Sequence, residues 1–70
     1  MLIVDARGLE PPEPFERVMD ALLDLEAGNT LLFRVDRVPY PLFRILHRDG
    51  YVFHYQEATD GSIEVNITLP

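Results

Sequence analysis

The side chains able to do chemistry in this 70-residue sequence gather mainly in one stretch, Asp5-Ala6-Arg7-Gly8-Leu9-Glu10-Pro11-Pro12-Glu13-Pro14, with Asp36 and Arg37 following later. Carboxylates beside arginines could bind an anion or move a proton. An anion site at a helix start needs free backbone N–H groups. Here Pro11, Pro12 and Pro14 delete three such donors while Glu10 and Glu13 add negative charge, so phosphate is disfavoured. The local alternative is that Asp5 or Glu10 satisfies nearby backbone donors and Arg7 pairs with a neighbouring carboxylate. His47 and His54 fall short of the three or four ligands of a tight zinc site. His47 near a helix end is explained by the helix dipole, and His54 alternates with Phe53 and Tyr55 as a solvent-facing residue would. Ser62, the lone serine, has no histidine nearby in sequence to activate it. With no cysteine there is no thiolate nucleophile, disulfide or thiolate metal site. No catalytic group, metal or cofactor is expected.

The elements that must position these residues follow from periodicity. Leu2 to Ala6 reads as a strand. A helix runs from about Pro12 to Ala27, its apolar face Phe15, Val18, Met19, Leu22 and Leu25, and Gly28-Asn29 ends it. Thr30 to Asp36 is the second strand. Pro39 and Pro41 open a second helix over Tyr40 to Arg48, packing through Leu42, Phe43, Ile45 and Leu46 and stopped by Asp49-Gly50. Tyr51 to Ala58 is the third strand, Asp60-Gly61 a hairpin signal, and Ile63, Val65, Ile67 and Leu69 alternate along the fourth. The order β-α-β-α-β-β, with right-handed crossovers, implies an α+β two-layer sandwich: a mixed four-stranded sheet with both helices on one face, as one domain over residues 1–70. Each half repeats a strand ending in Val-Asp and a helix opened by Pro-x-Pro. Parallel first and second strands would then bring Asp5, Arg7, Asp36 and Arg37 to one edge.

Asp5-Ala6-Arg7-Gly8-Leu9-Glu10-Pro11-Pro12-Glu13-Pro14 resembles the motif of the TusA/SirA-like family of small bacterial sulfur carriers, Asp-x-Arg-Gly-Leu-x-Cys-Pro-x-Pro. Pro11 stands where that family has its persulfide cysteine. With Pro39-Tyr40-Pro41-Leu42 before the second helix, the chain is most similar to the cysteine-free relatives grouped as domain of unknown function 2249. The resemblance implies the same fold, and relatives found beside or fused to proteins of redox and nitrogen-oxide metabolism. Sulfur carriage needs a thiolate, and proline supplies none.

Six arginines, no lysine and twelve carboxylates give a net charge of −6, which disfavours nucleic acid and anionic membranes as partners. No apolar run approaches a membrane span, and Met1 to Val4 is too short for a signal peptide, so a cytoplasmic location is expected. Glu13, Glu16, Asp20 and Asp24 line the outside of the first helix, whereas Arg37, Arg44 and Arg48 mark the second. These stripes could solvate the helices, pair across the helical layer or steer a partner. A second candidate surface is the open sheet face, where Ile3, Leu32 and Val52 are expected close together among Arg34, His54, Glu64, Asn66 and Thr68. The leading reading is a non-enzymatic protein-interaction or regulatory module, acting on a protein partner or neighbouring domain as a monomer or weak homodimer. Its rival is a small-ligand or metal-binding domain using Arg7, Arg37 and the histidines.

Overall fold

The two periodicities converge on one core. In the computed structural model, which describes residues 1–70, β1 spans Leu2–Asp5, α1 Glu13–Leu23, β2 Thr30–Val35, α2 Tyr40–Arg48, β3 Val52–Glu57 and β4 Ile63–Thr68. The sheet order is β1-β2-β4-β3. β1 and β2 are parallel, and β4 runs antiparallel to both β2 and β3. Three strands therefore point one way, and β4 folds back between β2 and β3 through the hairpin. Register places Leu31, Phe33 and Val35 of β2 opposite Ile67, Val65 and Ile63 of β4. These six residues are buried together with Val18 and Leu22 of α1 and Leu42 and Leu46 of α2. Both helices thus cover the same face of the mixed sheet, as β-α-β handedness requires. α1 lies against β1 and β2, and α2 against β3.

The two Pro-x-Pro stretches do the same work twice. Pro12 and Pro39 are the N-cap residues, and Pro14 and Pro41 stand at the second helical position. A missing N–H there forfeits no intrahelical bond, and the fixed φ suits a helix. The first helix consequently begins one residue later than Pro12. Its other end departs further from expectation. α1 stops at Leu23 rather than Ala27, with the Asp24 N–H bonded to the Ala21 carbonyl and the Leu25 N–H to that of Leu22. Leu25 is buried as its spacing suggests, but it reaches the core from a turn. The chain there is held by a Gly28 N–H bond to the Leu69 carbonyl at 2.6 Å. Gly28 sits at φ 85°, where a side chain would be strained. β1 and β2 each end one residue short of the expected Ala6 and Asp36, although the Ala6 N–H still donates to the Arg34 carbonyl at 2.8 Å.

Core packing closes the β3 side with aromatics. The Phe43 ring of α2 stacks on Phe53 at 4.9 Å and on Tyr55 at 5.0 Å, and Tyr40 meets Phe43 edge-on at 5.9 Å. Leu46 beside them is fully buried. Leu46→Ala is expected to cost about 2–5 kcal/mol in urea unfolding. That is a large share of the about 3.5–10 kcal/mol that a per-residue stability of roughly 0.05–0.15 kcal/mol gives over 70 residues. Val52→Thr, at a position 60% exposed, should stay within about 0.5 kcal/mol of the parent.

Candidate functional site

The carboxyl ends of β1 and β2 and the starts of α1 and α2 share one edge, and the sequence there divides it into a polar part and an apolar part. In the polar part, Asp5 ends β1 and grips Arg7 two residues on. Its Oδ1 accepts the Arg7 Nε–H at 2.9 Å and backbone N–H at 3.2 Å, and its Oδ2 accepts Nη2–H at 2.7 Å. The other arm of the guanidinium, Nη1–H, donates to Asp60 Oδ2 in the β3–β4 hairpin at 3.0 Å. Asp60 Oδ1 in turn accepts the Ser62 hydroxyl at 2.6 Å and its amide at 2.9 Å. Asp36, just past β2, accepts the Gly8 N–H at 2.8 Å. Gly8 has φ 78°, which lets the loop turn that amide inward. Arg7 is therefore a clip that ties the β1–α1 loop to a hairpin 53 residues away. Together these groups line a shallow depression of about 500 Å³.

The electrostatics of this clip argue against acid–base work. Hydrogen bonding to Arg7 holds the Asp5 carboxyl well below the usual carboxylate range, and Asp5 raises the Arg7 guanidinium above its ordinary value. The Ser62 hydroxyl and amide, helped by Arg7, lower Asp60 from 3.8 to about 2. A general acid or base works best with a pKa near the working pH, and these groups are driven the opposite way. The Ser62 hydroxyl, spent on Asp60, has a carboxylate and no imidazole beside it.

The apolar part is a groove of about 510 Å³ between the two helix starts. Pro11, Pro12, Pro14 and Phe15 form one wall, Val38, Pro39 and Pro41 the other, and Phe33 and Val35 the floor, with Glu10, Asp36 and Arg37 also lining it. Few backbone donors are left to face a ligand. Glu13 N–H bonds to the Glu10 carbonyl, Glu16 to Pro12, Tyr40 to Val38, and Leu42 and Phe43 to Pro39. Prolines at the N-cap and second position remove further donors that an anion would use.

The expected site residues thus separate. Asp5, Arg7, Gly8 and Asp36 meet at the polar depression, and Glu10, Pro11, Pro12, Pro14, Asp36 and Arg37 at the groove. Glu13 lines neither. It pairs with Arg17 one helical turn on, at 3.0 Å. Ion pairs engage Arg7, Arg17, Arg34 and Arg48, leaving Arg37 and Arg44 without one. No ion pair crosses between the helices, so the charge stripes remain outward-facing. On the open face, register aligns Ile3, Leu32, Asn66 and His54 in one row, and Asp5, Arg34, Glu64 and Gln56 in the next. Arg34 Nε lies 3.6 Å from Glu64 Oε2. Ile3 and Leu32 do adjoin, but Val52 pairs with Thr68 and is set apart from them by β4, which breaks the expected aliphatic cluster. His47 ends α2 and His54 lies on the uncovered side of the sheet, and no three His, Cys, Asp or Glu side chains are grouped as a metal ion would need.

Sequence reasoning missed Asp60 and Ser62, because an Asp-Gly hairpin turn reads as turn chemistry alone. It also left out Val38 from the edge. The repeated Pro-x-Pro was the signal that could have brought Val38, Pro39 and Pro41 beside the first set.

Residues 3–69 match the DUF2249 family, described as an uncharacterized conserved protein. The crystal structure of a SirA-like protein from Desulfitobacterium hafniense is similar to this chain at 36% identity, with a TM-score of 0.83 over 96% of this chain and 95% of that one. No curated protein matches the sequence.

The clip also makes stability depend on acid. Because folding lowers the Asp60 pKa from 3.8 to about 2, the unfolded chain binds more protons between those values. Stability from this group is present above pH 3.8 and lost as pH falls through about 2. Ser62→Ala should raise the Asp60 pKa in a carboxylate NMR titration and flatten the fall in stability between those pH values.

Proposed function

We propose that this chain, which belongs to the DUF2249 family and has a SirA-like fold, is a non-catalytic interaction module that seats a short segment of a partner protein between its two helix starts. The observation carrying this reading is the proline-walled apolar groove at the carboxyl ends of the parallel strands. Open α/β sheets tend to bind ligands beyond the carboxyl ends of their strands. Pro11 of its wall stands at the position of the sulfur carriers' cysteine, so the edge keeps the carrier framework and presents a rigid apolar surface in place of a nucleophile. Proline walls lose little conformational freedom when a ligand docks, which lowers the entropic cost of binding. Arg37, exposed and without an ion pair, selects for a carboxylate beside the apolar side chain that fills the groove.

A second reading rests on size: about 510 Å³ falls within the roughly 300–1,000 Å³ of small-molecule sites, so a small, largely apolar ligand also fits. The polar depression supports neither reading, since its one cation, Arg7, is already held by Asp5 and Asp60, and Asp36 is engaged by the Gly8 amide. The lack of a thiolate and of a histidine at this edge, with Asp5 and Asp60 held below the ordinary carboxylate range, supports the non-catalytic part of the proposal.

The two readings part in one experiment. A photo-cross-linking amino acid at Leu9, in the groove, should capture one discrete protein in the cells that make this chain. The same group at Asp20, on the outer side of α1, should not. Arg37→Glu is expected to cut the capture by about fivefold, as reversal of a rim charge would. Equal capture from both positions would end the docking reading. Groove amide shifts with a metabolite panel, in the absence of any protein adduct, would select the small ligand.

A further inference from the structure

β3 is the outermost strand on its side of the sheet and pairs with β4 in unbroken register through all six residues. The Ala58 N–H donates to the Ser62 carbonyl at 2.8 Å, which sets the phase of the ladder. Because bonded and non-bonded pairs alternate in an antiparallel ladder, Val52, His54 and Gln56 give their backbone groups to β4. Phe53, Tyr55 and Glu57 turn theirs outward. Natural edges are usually blunted by proline, lysine, a bulge or a covering loop; β3, Val-Phe-His-Tyr-Gln-Glu, has no proline, lysine or bulge. These outward groups admit one full two-fold register. Centred on Tyr55, a second β3 joins all three, with Tyr55 opposite itself and Phe53 opposite the second copy's Glu57. Centred on His54, it would set Glu57 against Tyr51, whose N–H is spent on the Leu46 carbonyl at 2.9 Å. Centred on Gln56, it would set Phe53 against Thr59 in the hairpin turn.

A two-fold interface uses the same patch on both chains, so the patch must complement itself. Phe53, Tyr55 and Glu57 lie on the helix-covered face, since they pair with the buried Ile67, Val65 and Ile63. Tyr40 and Tyr55 flank the Phe43 ring, yet they are 62% and 44% exposed; centring on Tyr55 covers both with their own copies. α2 runs opposite to β3, and Phe43 spans Phe53 and Tyr55, so Arg44 falls on the Phe53 side. That is where the register brings the second copy's Glu57. Neither Arg44 nor Glu57 has an ion pair within its own chain. Arg48 is held by Asp49 and Asp60 by Arg7, so neither brings an unpaired charge to the ends of the patch. On the uncovered face His54 falls opposite Gln56, and Val52 opposite Ala58. A peptide of one sign would be drawn to one end of this edge and repelled at the other, whereas a second copy is matched at both.

We propose that β3 pairs antiparallel with β3 of a second copy about a two-fold axis at Tyr55, joining two four-stranded sheets into one of eight strands, with Arg44 of each chain against Glu57 of the other. Main-chain bonds supply the affinity of such strand addition, and the side chains along the edge fix its register. Each chain carries −6, but salt at physiological strength screens charges beyond about 8 Å, and Glu13, Glu16, Asp20 and Asp24 belong to α1, over β1 and β2. The interface shares no residue with the groove between the helix starts, so the dimer leaves both grooves open.

The test combines sedimentation equilibrium with amide hydrogen exchange read by NMR, over about 10 µM to 1 mM protein. The dimer fraction should rise with concentration, and exchange at Phe53, Tyr55 and Glu57 should slow with it by about fivefold or more as those amides gain acceptors. Arg44→Glu and Glu57→Arg, both at exposed positions, should each weaken the dimer by about tenfold, because symmetry creates two like-charge contacts at once. The chain carrying both changes should regain most of that loss, and Arg37→Glu should leave the dimer unchanged. The proposal is overturned if the protein stays monomeric throughout, if protection appears along Leu2–Asp5 in place of β3, or if the doubly changed chain associates no better than the single variants.

Discussion

Right-handed crossovers after parallel strands leave little freedom in where the two helices begin. Once Thr30–Val35 lies alongside Leu2–Asp5 in parallel, each following helix must start at the same edge and return over the same face. The sheet is then buried on one side by Val18, Leu22, Leu42 and Leu46 and left open on the other. Strand alternation, the groove between the helix starts and the exposed row beneath are consequences of that single handedness.

The short chain secures this arrangement with local devices. Neither helix has a side-chain N-cap; proline geometry starts both. Arg7 joins Asp5 to Asp60, and Asp36 holds the Gly8 amide, so the loop before α1 is tied to β2 and to the β3–β4 hairpin at once. These exposed ion pairs contribute modestly to global stability. Their larger effect is on geometry: they keep the β1–α1 loop in place, and with it the proline wall of the groove.

What the edge can do follows from what its residues lack. Prolines leave few amides for an anion, Pro11 offers no thiolate, and the carboxyls at the clip are pushed toward permanent ionisation. The remaining physical resources are shape and apolar surface, with two arginines, Arg37 and Arg44, free of ion pairs. The docking role proposed for this edge would draw on these resources.

Much of the fold was legible in local spacing. Alternation in Ile63–Thr68, three-to-four spacing through Val18 and Leu22, and Pro-x-Pro at Pro12 and Pro39 are short-range patterns that depend on the pleat, the helical repeat and proline's fixed φ. The resemblance at Asp5 to Pro14 pointed to the same family that the match over residues 3–69 shows. The end of α1 was less legible, because Leu25 can reach the core from either a helix or a turn. The partition of the edge was hidden for a different reason. Arg7 could have paired with any of twelve carboxylates, and the choice of Asp60, like the separation of Val52 from Leu32, was made by strand order and register. The sequence by itself determined the elements, the one-sided core and the missing thiol, because those follow from each residue and its near neighbours. Only the tertiary structure decided which charges are spent and which edge stays unpaired, since both depend on groups brought together from distant parts of the chain.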